Sequence, residues 1–155
     1  GVAAGAGANL ALGCDIVVAG ASASFIQAFA KIGLVPDTGG TWLLPQLAGR
    51  ARALGLAMLG DKLSAEDAQR FGLIWQCVDD AQLAPLADQL SRQLAAMPSQ
   101  ALVATRNAID AAMLVPFDAA LDAEADLQKR FGSAGDYAEG VRAFMEKRAP
   151  VFNDR

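Results

Sequence analysis

The stretch GVAAGAGANLALGCDIVVAG, residues 1–20, joins a turn-rich start to a helix and a strand. Glycines alternate with alanines in its first eight residues, which suits turns and close approach of backbones. Residues 9–12 can form one or two helical turns, which Gly13 ends. Residues 15–20, DIVVAG, contain three successive β-branched apolar residues and predict a short buried strand. The stretch therefore predicts an α/β fold.

Downstream, the segment GLVPDTGGTWLLPQLAG, residues 33–49, predicts a loop followed by a helix. Its Pro, Asp and Gly residues favour a turn, and the apolar residues after them predict a helix from about Gly40 to Leu47. Asp37 or Thr38 would cap this helix, since both side chains accept hydrogen bonds from first-turn amides.

The next segments continue the alternation of helices and strands. A second helix is predicted from Ala51 to Leu59. Ser64 followed by Asp67 has the pattern of a capping box, which predicts another short helix. The run LIWQCV, residues 73–78, predicts a further strand.

From Gln82 onward the apolar residues recur at helical spacing, so helices are predicted to the end of the chain. The four predicted helices begin at Gln82, Ser99, Phe117 and Tyr137. The chain is thus divided into residues 1–80, rich in strands and helices, and residues 81–155, which are helical.

Composition excludes several classes of function. The chain has 155 residues, a net charge of −4 and no long basic run, which argues against nucleic acid as a partner. It lacks a secretory leader and an 18-residue apolar run, and its two cysteines lie far apart, so we expect a cytoplasmic protein outside the membrane. Histidine is absent, which excludes a Ser-His-Asp triad and any His-dependent zinc site, and no metal site is predicted.

The glycine-alanine stretch is the first candidate site. Residues without bulk let a ligand approach the unpaired N–H groups at a helix N-terminus, where the helix dipole is positive. Ala6, Gly7 and Ala8 are placed to donate. The alternative is that these small residues serve tight packing of a helix on a strand.

Asp37 is the second candidate, as a lone carboxylate between Pro36 and two glycines. Neighbouring apolar residues, among them Leu34, Val35 and Trp42, suggest an apolar surround, which would favour the uncharged acid, whereas the N-terminus of the following helix would favour the carboxylate. The alternative is a plain helix N-cap.

Residues 136–152, DYAEGVRAFMEKRAPVF, form the third candidate. Val141, Phe144 and Met145 make an apolar stripe, and charged residues lie elsewhere on the same predicted helix. An ordinary amphipathic terminal helix, with cations near its C-terminal end, is the alternative to a binding function.

Taken together, these stretches resemble the crotonase family, also called the enoyl-CoA hydratase/isomerase superfamily. Residues 1–20 look like the segment that enters the family's active-site helix, and residues 33–49 look like its second active-site loop. LSAEDAQRFGLIWQCV resembles the following helix-strand unit, and EGVRAFMEKRAPVF resembles the C-terminal signature. The resemblance covers the whole chain but only the later part of a family member.

The resemblance implies a fold, an assembly and a substrate class. We expect the C-terminal part of a ββα-spiral core, with active-site loops, over residues 1–80, and a helical trimerisation region over residues 81–155. Homo-trimers or hexamers and acyl-CoA thioester substrates are implied, and no cofactor is needed because coenzyme A is part of the substrate. Family members carry an upstream loop with a further oxyanion donor, so this chain alone is expected to be inactive.

The resemblance also implies roles for individual residues. The backbone N–H of Ala6 corresponds to an oxyanion-hole donor, and Asp37 stands where the family's isomerases place their acid/base. Hydratases of the family use two glutamates, and the corresponding positions are Asn9 and Phe29, neither of which is an acid. A hydratase and a non-catalytic crotonase-like protein remain the alternatives to an isomerase.

The remaining implied contacts concern the acyl and nucleotide parts of the substrate. Gly5, Gly7, Phe25 and Phe29 are expected beside the acyl thioester, and Lys147 is a candidate contact for the CoA nucleotide or else a surface residue. The expected reaction is isomerisation of ring-1,2-epoxyphenylacetyl-CoA to the oxepin, or a shift of a β,γ double bond into conjugation, or both.

Overall fold

A computed structural model describes residues 1–154, which form short strands and longer helices. The strands are β1 (Val2–Ala4), β2 (Val18–Gly20), β3 (Ser24–Ile26), β4 (Lys62–Ser64) and β5 (Gln76–Val78). The helices of the first half are α1 (Ala6–Leu12), a 3-10 helix (Ala28–Ile32), α2 (Gly40–Ala48), α3 (Arg50–Leu59) and α4 (Ala65–Arg70). The later helices are α5 (Asp80–Ala95), α6 (Ser99–Ala112), α7 (Phe117–Gly132) and α8 (Gly135–Glu146).

The strands form two small sheets. In one sheet β3 lies between β1 and β4, parallel to β1 and antiparallel to β4, with Ala3 opposite Phe25 and Phe25 opposite Leu63. In the other sheet β2 pairs in parallel with β5. Parallel neighbours need a crossover connection, and α1 belongs to the one between β1 and β3. The predicted α/β class is confirmed.

The chain divides into two compact units, and the boundary falls within α5, between Ala87 and Asp88. The core of the first unit combines residues from α1, α2, α3, α4 and three strands, among them Leu12, Phe25, Leu44 and Leu63. In the second unit α6 packs against α7, and α7 packs against α8. Among residues 1–154, no helix has the length and apolar content that a bilayer span requires.

Local structure differs from the sequence prediction at several strands. Strand β2 covers only Val18–Gly20 of the predicted residues 15–20. Leu73 and Ile74 are buried, but β5 begins only at Gln76, so the apolar run contributes its first residues to the core without strand pairing. Strand β4 was not predicted, because three residues are too few to show a periodic pattern and the strand is held by pairing with β3.

The predicted caps also have mixed outcomes. Ser64 caps α4 as expected, since its Oγ accepts a hydrogen bond from the Asp67 N–H at 3.1 Å. The prediction that Asp37 or Thr38 caps α2 is wrong: the cap is Gly39, with a φ of 78° and no side-chain hydrogen bond. Glycine adopts this left-handed conformation without steric cost, so the chain turns sharply into α2.

Helices α1 and α2 approach each other closely at Gly40, which has no side chain. Asn9 of α1 is buried, and its amide lies directly against the α carbon of Gly40, the first residue of α2. A Cβ at position 40 would overlap this amide. The close approach therefore depends on glycine at this position.

We expect Gly40→Ala to lower the free energy of unfolding by about 1–3 kcal/mol, because the added methyl group overpacks a filled site. The matched control is Gly55→Ala in α3, where a Cβ meets no atom within 4 Å. Alanine is the better helix former there, so this variant should gain about 0.5–1 kcal/mol. Urea unfolding of both variants checks the expectation, and equal stabilisation by both would contradict the packing described at Gly40.

Candidate active site

The turn from β1 into α1 is built on Gly5. Its φ of 53° and ψ of −126° lie where L-residues with side chains are strained, and its N–H donates to the Ile26 carbonyl at 2.9 Å. A Cβ at this position would lie 3.4 Å from the ring of Phe29, which is buried. Gly5 and Phe29, both predicted site residues, are thus neighbours at the start of α1.

The first amides of α1 are free to bind a ligand. The N–H groups of Ala8 and Asn9 donate to the Gly5 carbonyl at 3.0 and 3.2 Å. The N–H groups of Ala6 and Gly7 have no acceptor among residues 1–154, as expected for the first residues of a helix. Gly7 is exposed, with open space where a side chain would be.

Asp37 lies in the loop before α2, and its backbone is firmly held. Its carbonyl oxygen accepts two hydrogen bonds, from the Gly40 N–H at 2.8 Å and from Nδ2 of Asn9 at 2.9 Å. Its carboxylate accepts a hydrogen bond from the Thr38 hydroxyl at 2.9 Å. Thr38 has a φ of 49°, which is uncommon for a residue with a branched side chain.

The carboxylate of Asp37 is exposed rather than buried. Leu34 and Val35, just before it, are 58% and 77% exposed, and Trp42 is 49% exposed. The apolar surround expected from the sequence is therefore absent from residues 1–154, because these side chains lie on the surface of the chain. The carboxylate is accessible from outside.

A buried pair of amide side chains supports the Asp37 loop. Asn9 is 1% exposed and Gln27 is 4% exposed, and Nε2 of Gln27 donates to Oδ1 of Asn9 at 2.7 Å. The sequence identifies Asn9 only as a non-acidic residue at the position of a family glutamate, and it does not identify Gln27 as a site residue. A signal was present, since each is a lone amide in an apolar segment, and buried amides require partners.

The structure brings some predicted site residues together and leaves others apart. Ala6 and Asn9 belong to the same short helix, and Asn9 bonds directly to Asp37, so the open amides and the carboxylate residue are linked through one side chain. Phe25 instead points into the hydrophobic core of the first unit. Lys147 belongs to the second unit.

Lys147 ends helix α8 in the left-handed conformation, with a φ of 54°. Its N–H donates to the Phe144 carbonyl at 3.2 Å, and the Arg148 N–H donates to the Ala143 carbonyl at 3.0 Å. These bonds close the helix and leave the Lys147 side chain exposed. Its ammonium group is available to an anionic ligand.

The residues after Lys147 fold back onto α8 through Glu139. Two nitrogens of the Arg148 guanidinium donate to the Glu139 carboxylate at 2.6 and 3.0 Å, and the Val151 N–H donates to it at 3.0 Å. These hydrogen bonds, the Arg148 ones foremost, lower the pKa of Glu139 from 4.5 to about 2. The Glu139 side chain is only 16% exposed.

Taken together, the first unit presents two open backbone donors at the start of a helix and an exposed carboxylate on a residue whose backbone carbonyl is bonded to that helix. Such an arrangement can stabilise negative charge on an oxygen and move a proton nearby. No cluster of three or more metal-ligating side chains occurs in the part of the chain that the structure describes.

The chain is similar to known proteins over its whole length. The family model described as enoyl-CoA hydratase/isomerase matches residues 1–155. The chain is 56% identical over 155 residues to the 1,2-epoxyphenylacetyl-CoA isomerase of Escherichia coli strain K12, covering 100% of this chain and 59% of that protein. It is 35% identical to the trans-2-decenoyl-[acyl-carrier-protein] isomerase of Streptococcus mutans, with the same two coverages.

A solved structure gives the same result for the fold. The enoyl-CoA hydratase from Bacillus anthracis matches with a TM-score of 0.95 and 31% identity, covering 100% of this chain and 60% of that one. The chain thus spans about three fifths of the length of the relatives it matches.

We expect Glu139→Gln to lower the melting temperature at pH 7, because the amide cannot form the charge-assisted pair with Arg148. The pKa of Glu139 is lowered by folding, so its stabilising effect is present above about pH 4.5 and is lost as the pH falls towards 2. The difference in melting temperature between wild type and variant should therefore shrink below pH 4.5.

Thermal unfolding followed by circular dichroism between pH 7 and pH 2.5 measures this difference. Glu124→Gln, at an exposed position of α7, is the matched control and should change little across the range. A constant difference for Glu139→Gln at every pH would show that the carboxylate charge does not hold this contact.

Proposed function

The chain belongs to the enoyl-CoA hydratase/isomerase family, and from this premise we propose that the protein carrying it isomerises an acyl-CoA thioester. Asp37 is the acid/base, and the backbone N–H of Ala6 is a donor to the thioester oxygen. The TM-score of 0.95 confirms the crotonase-like architecture expected from the sequence. The residue roles rest on the geometry of the first unit.

One observation carries the proposal: the hydrogen bond of 2.9 Å from Nδ2 of Asn9 to the Asp37 carbonyl. Asn9 follows Ala6 by three residues, which is about one helical turn. The bond therefore keeps the Asp37 backbone beside the helix whose first amides are open. A thioester bound at those amides would have its α carbon within reach of a carboxylate held in this loop.

The chemistry follows from these two groups. Removing a proton beside a thioester builds negative charge on the thioester oxygen, and preorganised N–H donors stabilise that charge. A single carboxylate can take the proton from one carbon and return it at another, which moves a double bond without adding water. Backbone donors do not depend on the side chain, so alanine is sufficient at position 6.

For the substrate we propose ring-1,2-epoxyphenylacetyl-CoA, converted to its oxepin isomer, with β,γ-unsaturated acyl-CoAs as further substrates. The relative with 56% identity is named for this ring epoxide, and a second relative is named an isomerase of an unsaturated acyl group. Phe29, whose ring lies against Gly5, would border the acyl group. Gly5 and Gly7 would let the thioester approach the backbone.

A hydratase is the alternative, since similar proteins of that name also occur. The two positions expected to hold the glutamates of a hydratase are Asn9 and Phe29, and both are buried here. Asn9 also forms a hydrogen bond at each end of its side-chain amide, with Gln27 and with Asp37. These observations favour isomerisation over hydration.

The second unit would serve assembly and binding of the CoA nucleotide. Large apolar residues lie on its surface, among them Phe117, which is 74% exposed, and Phe144, which is 81% exposed. Such a surface would be covered by other subunits in a homo-trimer or hexamer. The exposed ammonium of Lys147 would contact a phosphate of the nucleotide. A protein that only assembles, without catalysis, would share these features but would not need Asp37.

We expect Asp37→Asn in the full-length protein to lower kcat for isomerisation about 10²–10⁴-fold, because the amide cannot accept the proton. Asparagine is isosteric and keeps the loop backbone, so the fold should be retained. Turnover of ring-epoxidised and β,γ-unsaturated acyl-CoAs is the measurement. The control is Asp61→Asn, an exposed carboxylate that pairs with Lys31 at 3.6 Å.

The same variant separates the alternatives. Assayed with crotonyl-CoA, the wild-type protein should show little hydration. Robust hydration that survives Asp37→Asn would reject the isomerase mechanism in favour of a hydratase, and wild-type protein without any turnover would favour the non-catalytic alternative.

A proline tests the backbone donor at Ala6. We expect Ala6→Pro to lower kcat about 10²–10³-fold, because the substitution removes one oxyanion-hole N–H. Proline is favoured at the first position of a helix, so α1 should persist. Arg50→Pro puts the same ring at the first residue of α3 and serves as the control. Unchanged kcat in a folded Ala6→Pro variant would contradict the donor assignment.

A further inference from the structure

We propose that Asn9 and Gln27 act together as positioning residues for the Asp37 carboxylate. The inference rests on the function proposed above and adds two residues to its site. Neither side chain would touch the substrate. Both would act by fixing where the Asp37 backbone lies relative to the first amides of α1.

The hydrogen-bond chemistry allows only one orientation of the two amides. A carbonyl oxygen can only accept, so the Asp37 carbonyl requires the nitrogen of the Asn9 amide to face it. This leaves Oδ1 of Asn9 facing Gln27, where it needs a donor. Nε2 of Gln27 supplies that donor at 2.7 Å. The relay therefore runs in one direction, from Gln27 through Asn9 to Asp37.

The relay leaves a polar atom without a partner. Oε1 of Gln27 is buried and has no hydrogen-bond partner among residues 1–154. Burying an amide oxygen unpaired costs free energy. An apolar residue at position 27 would avoid this cost but would leave Oδ1 of Asn9 without its donor. The amide at position 27 is explained by the need to orient Asn9.

The Asp37 end of the relay is equally restricted. The Asp37 carbonyl oxygen has two lone pairs, and each accepts a hydrogen bond, one from the Gly40 N–H and one from Nδ2 of Asn9. Gly40 has no side chain, so the Asn9 amide lies directly against the turn. Because Ala6 and Asn9 share α1, any shift of this helix would move the oxyanion donor and the acid/base residue together. Their relative position is preserved.

The relay also constrains the chemistry that position 9 can perform. A carboxylate at position 9 would place an acceptor oxygen against the Asp37 carbonyl, which also only accepts hydrogen bonds. The same carboxylate would lie against the Gly40 backbone. This substitution would remove the Asn9–Asp37 hydrogen bond, which is the only side-chain hydrogen bond between α1 and the Asp37 loop in residues 1–154. Position 9 thus holds the base in place and is not a second base.

The test is Asn9→Asp in the full-length protein, since this substitution keeps the shape and removes the donor. We expect kcat to fall about 100-fold, as for a misplacement of a catalytic group by about 1 Å. KM should stay within about twofold, because substrate binding in the ground state does not use Asp37. Near-ultraviolet circular dichroism checks that the variant is folded.

A second variant and a control complete the experiment. Gln27→Met removes the donor to Asn9 at similar volume, and the double variant should lose no more than about the larger single effect, because both residues act through one contact. Ser24→Ala is the matched control, since Ser24 is 1% exposed and its Oγ has no partner among the described residues. Its kcat should equal that of the wild type.

The outcomes separate this inference from the proposed function. If Asp37→Asn keeps full activity, the proposed function fails and this inference with it. If Asp37→Asn abolishes turnover while Asn9→Asp and Gln27→Met keep the wild-type kcat, only the positioning inference is overturned. It is also overturned if both variants fail to fold, since the pair would then serve stability alone.

Discussion

The hydrogen bond from the Asn9 side chain to the Asp37 carbonyl is the contact on which the site depends. It crosses 28 positions of sequence and joins a helix to a loop that is otherwise held by its own turns. Its donor is buried, since Asn9 is 1% exposed, so water competes little for the Asn9 amide. The catalytic proposal needs a rigid link between helix and loop, and this bond provides it.

Two glycines make that contact possible. Gly5 adopts a backbone conformation that lets β1 turn directly into α1, and Gly40 lets the start of α2 lie against the Asn9 amide. A side chain at Gly5 would be strained by its positive φ, and a side chain at Gly40 would overlap the Asn9 amide. The geometry of the candidate site therefore depends on two positions that have no side chain.

The secondary structure around this site could be predicted from the sequence better than the geometry of the site. The α/β class, α1 and the Ser64 cap follow from local patterns, since glycine, serine and apolar spacing act over a few residues. The Asn9–Gln27 relay and strand β4 depend on partners distant in sequence, so no local pattern could supply them. Asp37 was expected to be buried because apolar residues flank it, but flanking residues do not determine which side chains face inward.

The proposed function requires an acyl thioester to bind between the Ala6 amide and the Asp37 carboxylate. A crystal structure of the full-length protein with a non-reactive acyl-CoA analogue tests it most directly. We expect the thioester oxygen about 2.7–3.1 Å from the Ala6 nitrogen and the Asp37 carboxylate in contact with the carbon that loses its proton. An analogue bound away from α1, or a carboxylate turned away from the acyl group, would contradict it.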